Sequence, residues 1–182
     1  MSTTKPLPAL GLLAILMFGG CASNPVLTPP DVPDALRPPA GQVLFLEALA
    51  SGVQIYECTA KPGADSALEW VFRAPEAALT DRAGRPLGKH YAGPTWEGLD
   101  GSTVVAEVRA RDAGPDASAI PWLLLSGKST TRAGTLSVTQ SVQRVQTRGG
   151  VAPPAASCQA GNRGQTVRVP YAATYYFYRG AY

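Results

Sequence analysis

Apolar and polar residues alternate along much of the chain after residue 41, which is the pattern of half-buried β-strands. Residues 68–73 place Leu68, Trp70 and Phe72 on one face of a predicted strand. Residues 103–111 alternate in the same way, with one face formed by Val104, Ala106, Val108 and Ala110 and the other by Val105, Glu107, Arg109 and Arg111. The same period predicts further strands at 43–49, 52–58, 87–91, 122–126, 135–147 and 167–177.

The C-terminal segment 167–177 is the longest predicted strand. One of its faces carries Val167, Val169, Tyr171, Ala173, Tyr175 and Phe177. Pro170 lies on the other face and has no amide donor, which predicts a sheet edge or a bulge at that point. Tyr176 and Tyr178 also lie on that other face, where they form either part of a second apolar core or an exposed adhesive surface.

Two segments depart from a simple strand pattern. Leu136 and Val138 keep the two-residue period, but Val142 and Val145 are three apart, which predicts a β-bulge near Arg144. Residues 74–80 have the composition of a helix, and Pro75 limits it to one or two turns.

Turn sequences at 61–63, 81–84, 100–102, 114–116 and 149–150 separate the strands. Short strands at regular spacing in a region of this size predict an all-β fold with long loops and little helix. We expect an antiparallel β-sandwich, with a β-barrel as the alternative, because the two share the same local signals.

The first 20 residues have the pattern of an export signal. Lys5 precedes an apolar run at 9–18, which is too short to span a membrane that requires about 20 helical residues. Gly19 and Gly20 then lead to Cys21, an arrangement that resembles a bacterial lipobox with Phe18 in place of the usual aliphatic residue. We expect removal of residues 1–20 and lipidation of Cys21, which makes the membrane a partner of the protein. The alternative is ordinary cleavage and a secreted, soluble protein.

The expected location is the periplasmic side of the cell envelope, with the outer membrane favoured over the inner one. Residues 21–41 contain six prolines, which predicts an extended tether without a packed element. Residues 42–182 are enough for a single all-β domain.

The cysteines and the charge narrow the range of partners. Lipidation of Cys21 would leave Cys58 and Cys158 as an even pair, which predicts a disulfide in an exported protein; the alternative is two buried free thiols. The 16 basic and 13 acidic residues are scattered along the chain. A nucleic-acid surface would require a basic stripe, so no nucleic-acid partner is expected.

The segment 90–102 holds the residues best suited to a site, namely His90, Tyr91, Trp96, Glu97 and Asp100. Aromatic rings beside carboxylates and an imidazole suit a small polar or saccharide ligand. The competing interpretation is structural: Trp96 covers one end of the fold, and His90 satisfies a backbone carbonyl.

Catalysis is the other class of function to consider. His90 is the only histidine, so a serine triad would combine it with Ser102 or Ser126 and with Asp100 or Glu97, but the chain has no Gly-x-Ser-x-Gly turn. A metal-dependent enzyme could use His90, Glu97 and Asp100, although they lack the spacing of a strong metal motif. Glu97 and Asp100 could also act as a carboxylate pair on a glycosidic bond. We assign no catalytic residue, metal or cofactor.

Several motifs together make the chain similar to a known family. They are 52–58 (GVQIYEC), 90–102 (HYAGPTWEGLDGS), 121–125 (PWLLL), 143–147 (QRVQT) and 169–171 (VPY). With them the chain resembles the bacterial and fungal family called domain of unknown function 3455, from about residue 42 onward. The resemblance implies no activity. Some fungal relatives bear a malate dehydrogenase label, but this chain lacks a Gly-x-Gly-x-x-Gly turn between a strand and a helix.

The sequence therefore predicts an exported, lipid-anchored β-domain of unknown activity. It is expected to bind a small or saccharide ligand or to serve a structural role in the envelope. The alternative is a hydrolase or a metal-dependent enzyme that uses His90 with Glu97 and Asp100.

Overall fold

A computed structural model of the chain describes residues 1–2, 26–61 and 63–181, without the side chains of 64–66. Its strands are β1 (Gln42–Lys61), β2 (Ala64–Thr80), β3 (Pro86–Tyr91), β4 (Thr95–Gly98), β5 (Thr103–Asp112), β6 (Trp122–Thr131), β7 (Ser141–Gly149) and β8 (Thr166–Gly180). Short 3₁₀ helices cover Asp34–Leu36, Thr135–Val138, Ala155–Ser157 and Ala160–Asn162. The predicted export signal and the lipidation site at Cys21 lie outside the described residues.

The eight strands form one antiparallel sheet that closes on itself. Each strand pairs with its neighbours in sequence, and β1 also pairs with β8, from Gln42 opposite Gly180 to Glu57 opposite Thr166. The prediction of an antiparallel all-β fold is confirmed. The local signals left a β-sandwich and a β-barrel open, and the sheet forms a closed barrel.

β1 is a single long strand where the sequence pattern predicted two. Its middle residue Gly52 allows the strand to continue, because a Cβ atom there would lie 2.0 Å from the carbonyl oxygen of Glu76 on β2. The close approach of the two backbones therefore requires a glycine at this position.

The helix predicted at 74–80 is wrong, because these residues form the end of β2. Ala77 and Leu79 point into the barrel core, and pairing with both β1 and β3 outweighs the local helical propensity. Pro75 pairs with Gln54 of β1, while pairing with β3 begins only at Ala77, so the proline lies where β2 has a free edge.

Two strands, β7 and β4, also differ from the predicted pattern. The strand predicted at 135–147 begins only at Ser141, after the 3₁₀ helix Thr135–Val138. The bulge predicted near Arg144 is wrong, because pairing with β8 is regular from Ser141 to Val145 and places Val142 and Val145 on opposite faces. The β7–β8 register shifts only beyond this point, between Val145 and Arg148, where Gln146 has a φ of 52°. The short strand β4 was not predicted.

A second bulge changes which residues of β5 face inward. The β5–β6 register shifts between Val108 and Ala110. As a result Ala110 packs in a different cluster from Val108, and Arg111 lines the same interior cavity as Val108. The predicted grouping of Ala110 with Val108 is therefore wrong, because the extra residue of the bulge exchanges the faces of the strand beyond it.

The barrel interior holds the main core. Every strand contributes to it, for example Ala48, Ala77, Leu87, Trp96, Val104, Leu125, Val142 and Phe177. The predicted inner face of β8 is confirmed for Tyr171, Ala173, Tyr175 and Phe177.

A smaller core lies on the outer side of β6, β7 and β8. It contains Leu124, Val145, Tyr176 and Tyr178 together with Val32 and Leu36 of the segment before β1. Tyr176 and Tyr178 therefore belong to a second core. The prediction that no packed element lies before residue 42 is wrong for 32–36, because Leu36 is fully buried against these tyrosines.

The predicted disulfide between Cys58 and Cys158 is confirmed, with an S–S distance of 2.00 Å. It joins the end of β1 to the connection between β7 and β8. Within the ranges that the structure describes, no helix is long and apolar enough to cross a membrane.

Candidate functional site

One end of the barrel interior is hollow. The cavity has a volume of about 560 Å³ and lies beside the second half of β1 and the first half of β2. Its apolar wall consists of Phe72, Pro75, Pro94, Val108, Ile120, Leu123 and Leu125. Its polar and charged lining consists of Gln54, Tyr56, Arg73, His90, Arg111, Arg144 and Tyr175, with the indole of Trp96.

The cavity opens sideways because β3 and β4 are short. β2 pairs with β3 only from Ala77 onward, and β4 pairs with β5 only up to Val105. Between residues 67–75 of β2 and 107–111 of β5 no described strand fills the ring. The turn of the β3–β4 hairpin closes the upper side of this gap, where the amide of Ala106 donates to the carbonyl of Pro94 at 3.1 Å.

His90 and Trp96 form a stacked pair in the cavity wall. Their ring centroids are 4.4 Å apart and the rings are nearly parallel, at 13°. Tyr175 packs edge-on against both rings. The two side chains are 3% and 1% exposed, so neither offers a free ring face to solvent.

The imidazole of His90 is neutral over the usual pH range. Burial, with a smaller contribution from the positive charge of Arg144, lowers its pKa to about 4, although the backbone hydrogen bond to Thr95 acts in the opposite direction. Nδ1 lies 2.8 Å from the carbonyl oxygen of Thr95. Because a carbonyl can only accept, Nδ1 carries the proton in the neutral ring.

Arg144 brings a positive charge to the inner side of β7. Its Nε and Nη2 atoms donate to the carbonyl of Pro121 at 3.2 and 2.8 Å. Burial lowers the pKa of the guanidinium, although an arginine remains charged in proteins. No described carboxylate forms an ion pair with Arg144 or Arg111, and no Asp or Glu lines the cavity.

Two buried donors in the cavity wall have no acceptor among the described residues. They are the Nε2 atom of Gln54, whose side chain is 2% exposed, and the Nε1 atom of Trp96. A buried donor without a partner costs about 1–3 kcal/mol. Both donors belong to residues that line the cavity, but the two atoms expose almost no surface, so a ligand would reach them only after a small side-chain movement.

The five residues predicted for a site lie in three places. His90 and Trp96 line the cavity. Tyr91 and Glu97 lie on the other face of the β3–β4 hairpin, where the Tyr91 hydroxyl donates to Glu97 at 2.9 Å and Lys89 forms an ion pair with the same carboxylate at 3.2 Å. These contacts lower the pKa of Glu97.

Asp100 lies in the turn between β4 and β5, away from the cavity. Its carboxylate accepts from the hydroxyl and amide of Ser102 at 2.6 and 2.9 Å and from the amide of Thr135 at 2.7 Å. These hydrogen bonds hold the pKa of Asp100 well below its usual range. The carboxylate therefore joins this turn to the 3₁₀ helix at Thr135.

The arrangement gives no support to the catalytic alternatives. The Ser102 hydroxyl donates to Asp100 and accepts from the amide of Leu136 at 3.0 Å, whereas His90 bonds to Thr95. Among the described residues no three His, Cys, Asp or Glu side chains are grouped so that they could hold a metal ion.

The sequence analysis missed Gln54, Arg111, Arg144 and Tyr175 as cavity residues. They come from four different strands, and a bulge turns Arg111 inward. Of these four residues, only Tyr175 lies on a strand face that the sequence pattern had grouped correctly, the inner face of β8.

A comparison with protein families gives one match, which covers residues 39–179 and is described as a protein of unknown function (DUF3455). The chain belongs to this family. The DUF3455 match includes all residues of the cavity and both cysteines of the disulfide. No curated protein and no solved structure is significantly similar to the chain.

Proposed function

We propose that the DUF3455 domain is a binding module that holds a small ligand in the cavity between β2 and β5. The observation that carries this proposal is the pair of buried, unpartnered donors on Gln54 and Trp96 in the wall of that cavity. A ligand with oxygen acceptors would satisfy both donors and offset their cost of burial.

The size and lining of the cavity support the same proposal. A volume of about 560 Å³ lies within the range of small-molecule sites, roughly 300–1,000 Å³. Mostly apolar walls with a few converging polar groups are typical of such sites. Exposed residues at the side opening, such as Phe72 at 48%, give solvent access to it.

The geometry favours binding without catalysis. His90 is neutral, stacked and hydrogen-bonded to the backbone, which suits a residue that holds Trp96 in place. Sugar stacking on Trp96 has little support, because the ring is covered by His90, Tyr175 and Phe177. Trp96 would instead contribute its Nε1 hydrogen.

The test uses the indole N–H resonances of Trp70, Trp96 and Trp122 in the ¹⁵N-labelled domain. The probes are benzamide, benzoate and phenyl phosphate. We expect at least one of them to shift the Trp96 resonance, assigned with Trp96→Phe, while Trp70 and Trp122 stay in place.

The cavity-filling variant Val108→Phe should abolish the shift, because its side chain enters the cavity wall. The control is Val105→Phe on the same strand, since its two neighbours Val104 and Ala106 both face the core. If none of the three probes moves Trp96 in the wild type, or if Val108→Phe responds like the wild type, the proposal is wrong.

We also propose that the domain is exported and held at the periplasmic side of the envelope by acyl groups on Cys21. The disulfide between Cys58 and Cys158 supports export, because disulfides persist in oxidising compartments. Intact mass spectrometry of protein from its native host should show a chain that begins at residue 21 with acyl groups added. An unmodified Cys21 would indicate a secreted form, and retention of residues 1–20 would contradict export.

A further inference from the structure

The unpartnered and charged groups of the cavity are hydrogen-bond donors and cations. Gln54 and Trp96 offer unpartnered N–H donors, and Arg144 and Arg111 offer positive charge. Arg73 at the rim already pairs with Glu57 at 2.8 Å. Since no carboxylate of the described residues lines the cavity, its interior has donors and cations without a matching anion.

We infer that the cavity selects a ligand with an oxyanion, either a carboxylate or a phosphate ester, attached to an apolar body. This inference rests on the proposed binding function and specifies the chemistry of the ligand.

Arg144 is the main positive charge of the cavity. Its half-buried side chain lines the cavity beside Tyr175 and Leu123, and its hydrogen-bond partners, the carbonyl of Pro121 and the hydroxyl of Tyr175, are neutral. A buried charge is costly unless an opposite charge compensates for it. A guanidinium has five N–H donors in a planar fork that matches the oxygens of a carboxylate or a phosphate.

The other cavity residues place the two parts of the ligand. Arg111, which is exposed at the opening of the same cavity, adds a second positive charge that acts on Arg144, so an anion near both would be favoured. The apolar body would lie against Val108, Ile120 and Leu123. The ligand would enter through the gap between β2 and β5, past Phe72.

The experiment compares ligands that share one apolar body. The probes are 3-phenylpropanoate, 2-phenylethyl phosphate, the neutral isostere 3-phenylpropanamide and the cation 3-phenylpropylammonium. Binding is followed by the Trp96 indole resonance and by calorimetry in a buffer free of phosphate. We expect at least one of the two oxyanions to bind about tenfold more tightly than the amide, equivalent to about 1.4 kcal/mol, and the ammonium to bind most weakly. The tighter of the two oxyanions identifies the headgroup.

Two variants test whether Arg144 causes the preference for oxyanions. Arg144→Met should reduce oxyanion affinity to that of the amide, whereas Arg148→Met, an exposed arginine on the same strand, should leave it unchanged. Arg144→Lys keeps the charge but loses the fork, so it should recover only part of the affinity. If Arg144→Met does not fold, Arg111→Met at the opening serves as the second test, with at least a threefold loss expected.

The outcomes separate this inference from the proposed function. Equal affinity for both oxyanions and the amide, or an equal effect of Arg144→Met and Arg148→Met, would overturn the anion preference and leave the binding function in place. No response to any of the four probes would count against both. A second readout is the titration of His90: a bound oxyanion would screen Arg144 and raise the pKa of the histidine, which the amide would not do.

Discussion

His90 is almost inaccessible to water and packs flat against Trp96. It therefore contributes to stability as a neutral ring. The hydrogen bond to Thr95 fixes its orientation, and that orientation sets the position of the indole N–H in the cavity wall. In the proposed binding function, His90 positions a donor.

The stability of the domain should fall in mild acid because of this residue. The pKa of His90 is about 4 in the folded protein against 6.5 for the ordinary group, so between these values the unfolded chain binds more protons. Between pH 7 and pH 5 we expect the free energy of unfolding to fall by about 2 kcal/mol. Urea denaturation at the two pH values measures it.

The matched variant for this prediction is His90→Phe, which keeps an aromatic ring against Trp96 and removes the titrating group. Its unfolding free energy should change far less between pH 7 and pH 5 than that of the wild type. The same pH dependence in both proteins would show that another group is responsible.

How far the sequence predicts the site depends on the distance between its residues along the chain. His90 and Trp96 are six residues apart and carry distinctive side chains, so their segment could be recognised. Gln54, Arg111 and Arg144 meet them only because of strand pairing across the ring, and a bulge in β5 turns Arg111 inward. Local alternation contains no information on such pairing.

Among the elements, the segment before β1 has the clearest structural role beyond the ring itself. Leu36 inserts between the outer faces of β6, β7 and β8, and its carbonyl accepts a hydrogen bond from Gln143 at 2.7 Å. The Gln143 side chain in turn accepts from the Tyr178 hydroxyl at 2.7 Å. The segment therefore covers tyrosines that would otherwise be exposed apolar surface.

Replacement of Leu36 should measure the contribution of this segment. Leu36→Ala removes a fully buried side chain and should lower the free energy of unfolding by about 2–4 kcal/mol in urea denaturation. Leu99→Ala is the control, because Leu99 is 73% exposed and its loss should cost less than about 0.5 kcal/mol. Similar losses in both variants would mean that the segment does not contribute to stability.

The prolines before residue 42 predicted an extended tether, but the segment forms a 3₁₀ helix at Asp34–Leu36 and packs on the ring. Val32 and Leu36 are spaced four apart among prolines, and this spacing has meaning only when Tyr176 and Tyr178 are known to face outward. For residues 74–80 the reverse holds: the local composition indicated a helix, and two neighbouring strands imposed an extended conformation.

At the scale of the whole molecule, the ring is closed by pairing between β1 and β8, the first and last strands. Antiparallel strands could be predicted from alternation and turns, but closure joins residues more than 100 positions apart and has no local signature. The disulfide between Cys58 and Cys158 acts over a similar distance and fastens the loop before β8 to the end of β1.

The disulfide should be a large part of the stability of the molecule. It spans 100 residues of chain, and a link of that length restricts the unfolded state by about 4–5 kcal/mol in the chain-entropy model. We expect the double variant Cys58→Ser with Cys158→Ser to unfold at a markedly lower urea concentration than the oxidised wild type.

A reducing agent provides the control for that prediction. It should lower the unfolding midpoint of the wild type towards that of the double variant and leave the double variant itself unchanged. An oxidised wild type that is no more stable than the double variant would contradict the prediction.

Neighbouring residues of β7 face two different regions of the molecule. Gln143 faces outward and holds the carbonyl of Leu36, whereas Arg144 faces inward and lines the cavity. Gln143, which holds the N-terminal segment, is thus adjacent in sequence to Arg144, to which we assign ligand recognition. If the protein is anchored at Cys21 as proposed, tension on the N-terminal segment would reach β7 through the hydrogen bond of Gln143 to Leu36, and anchoring would then influence the affinity for ligand.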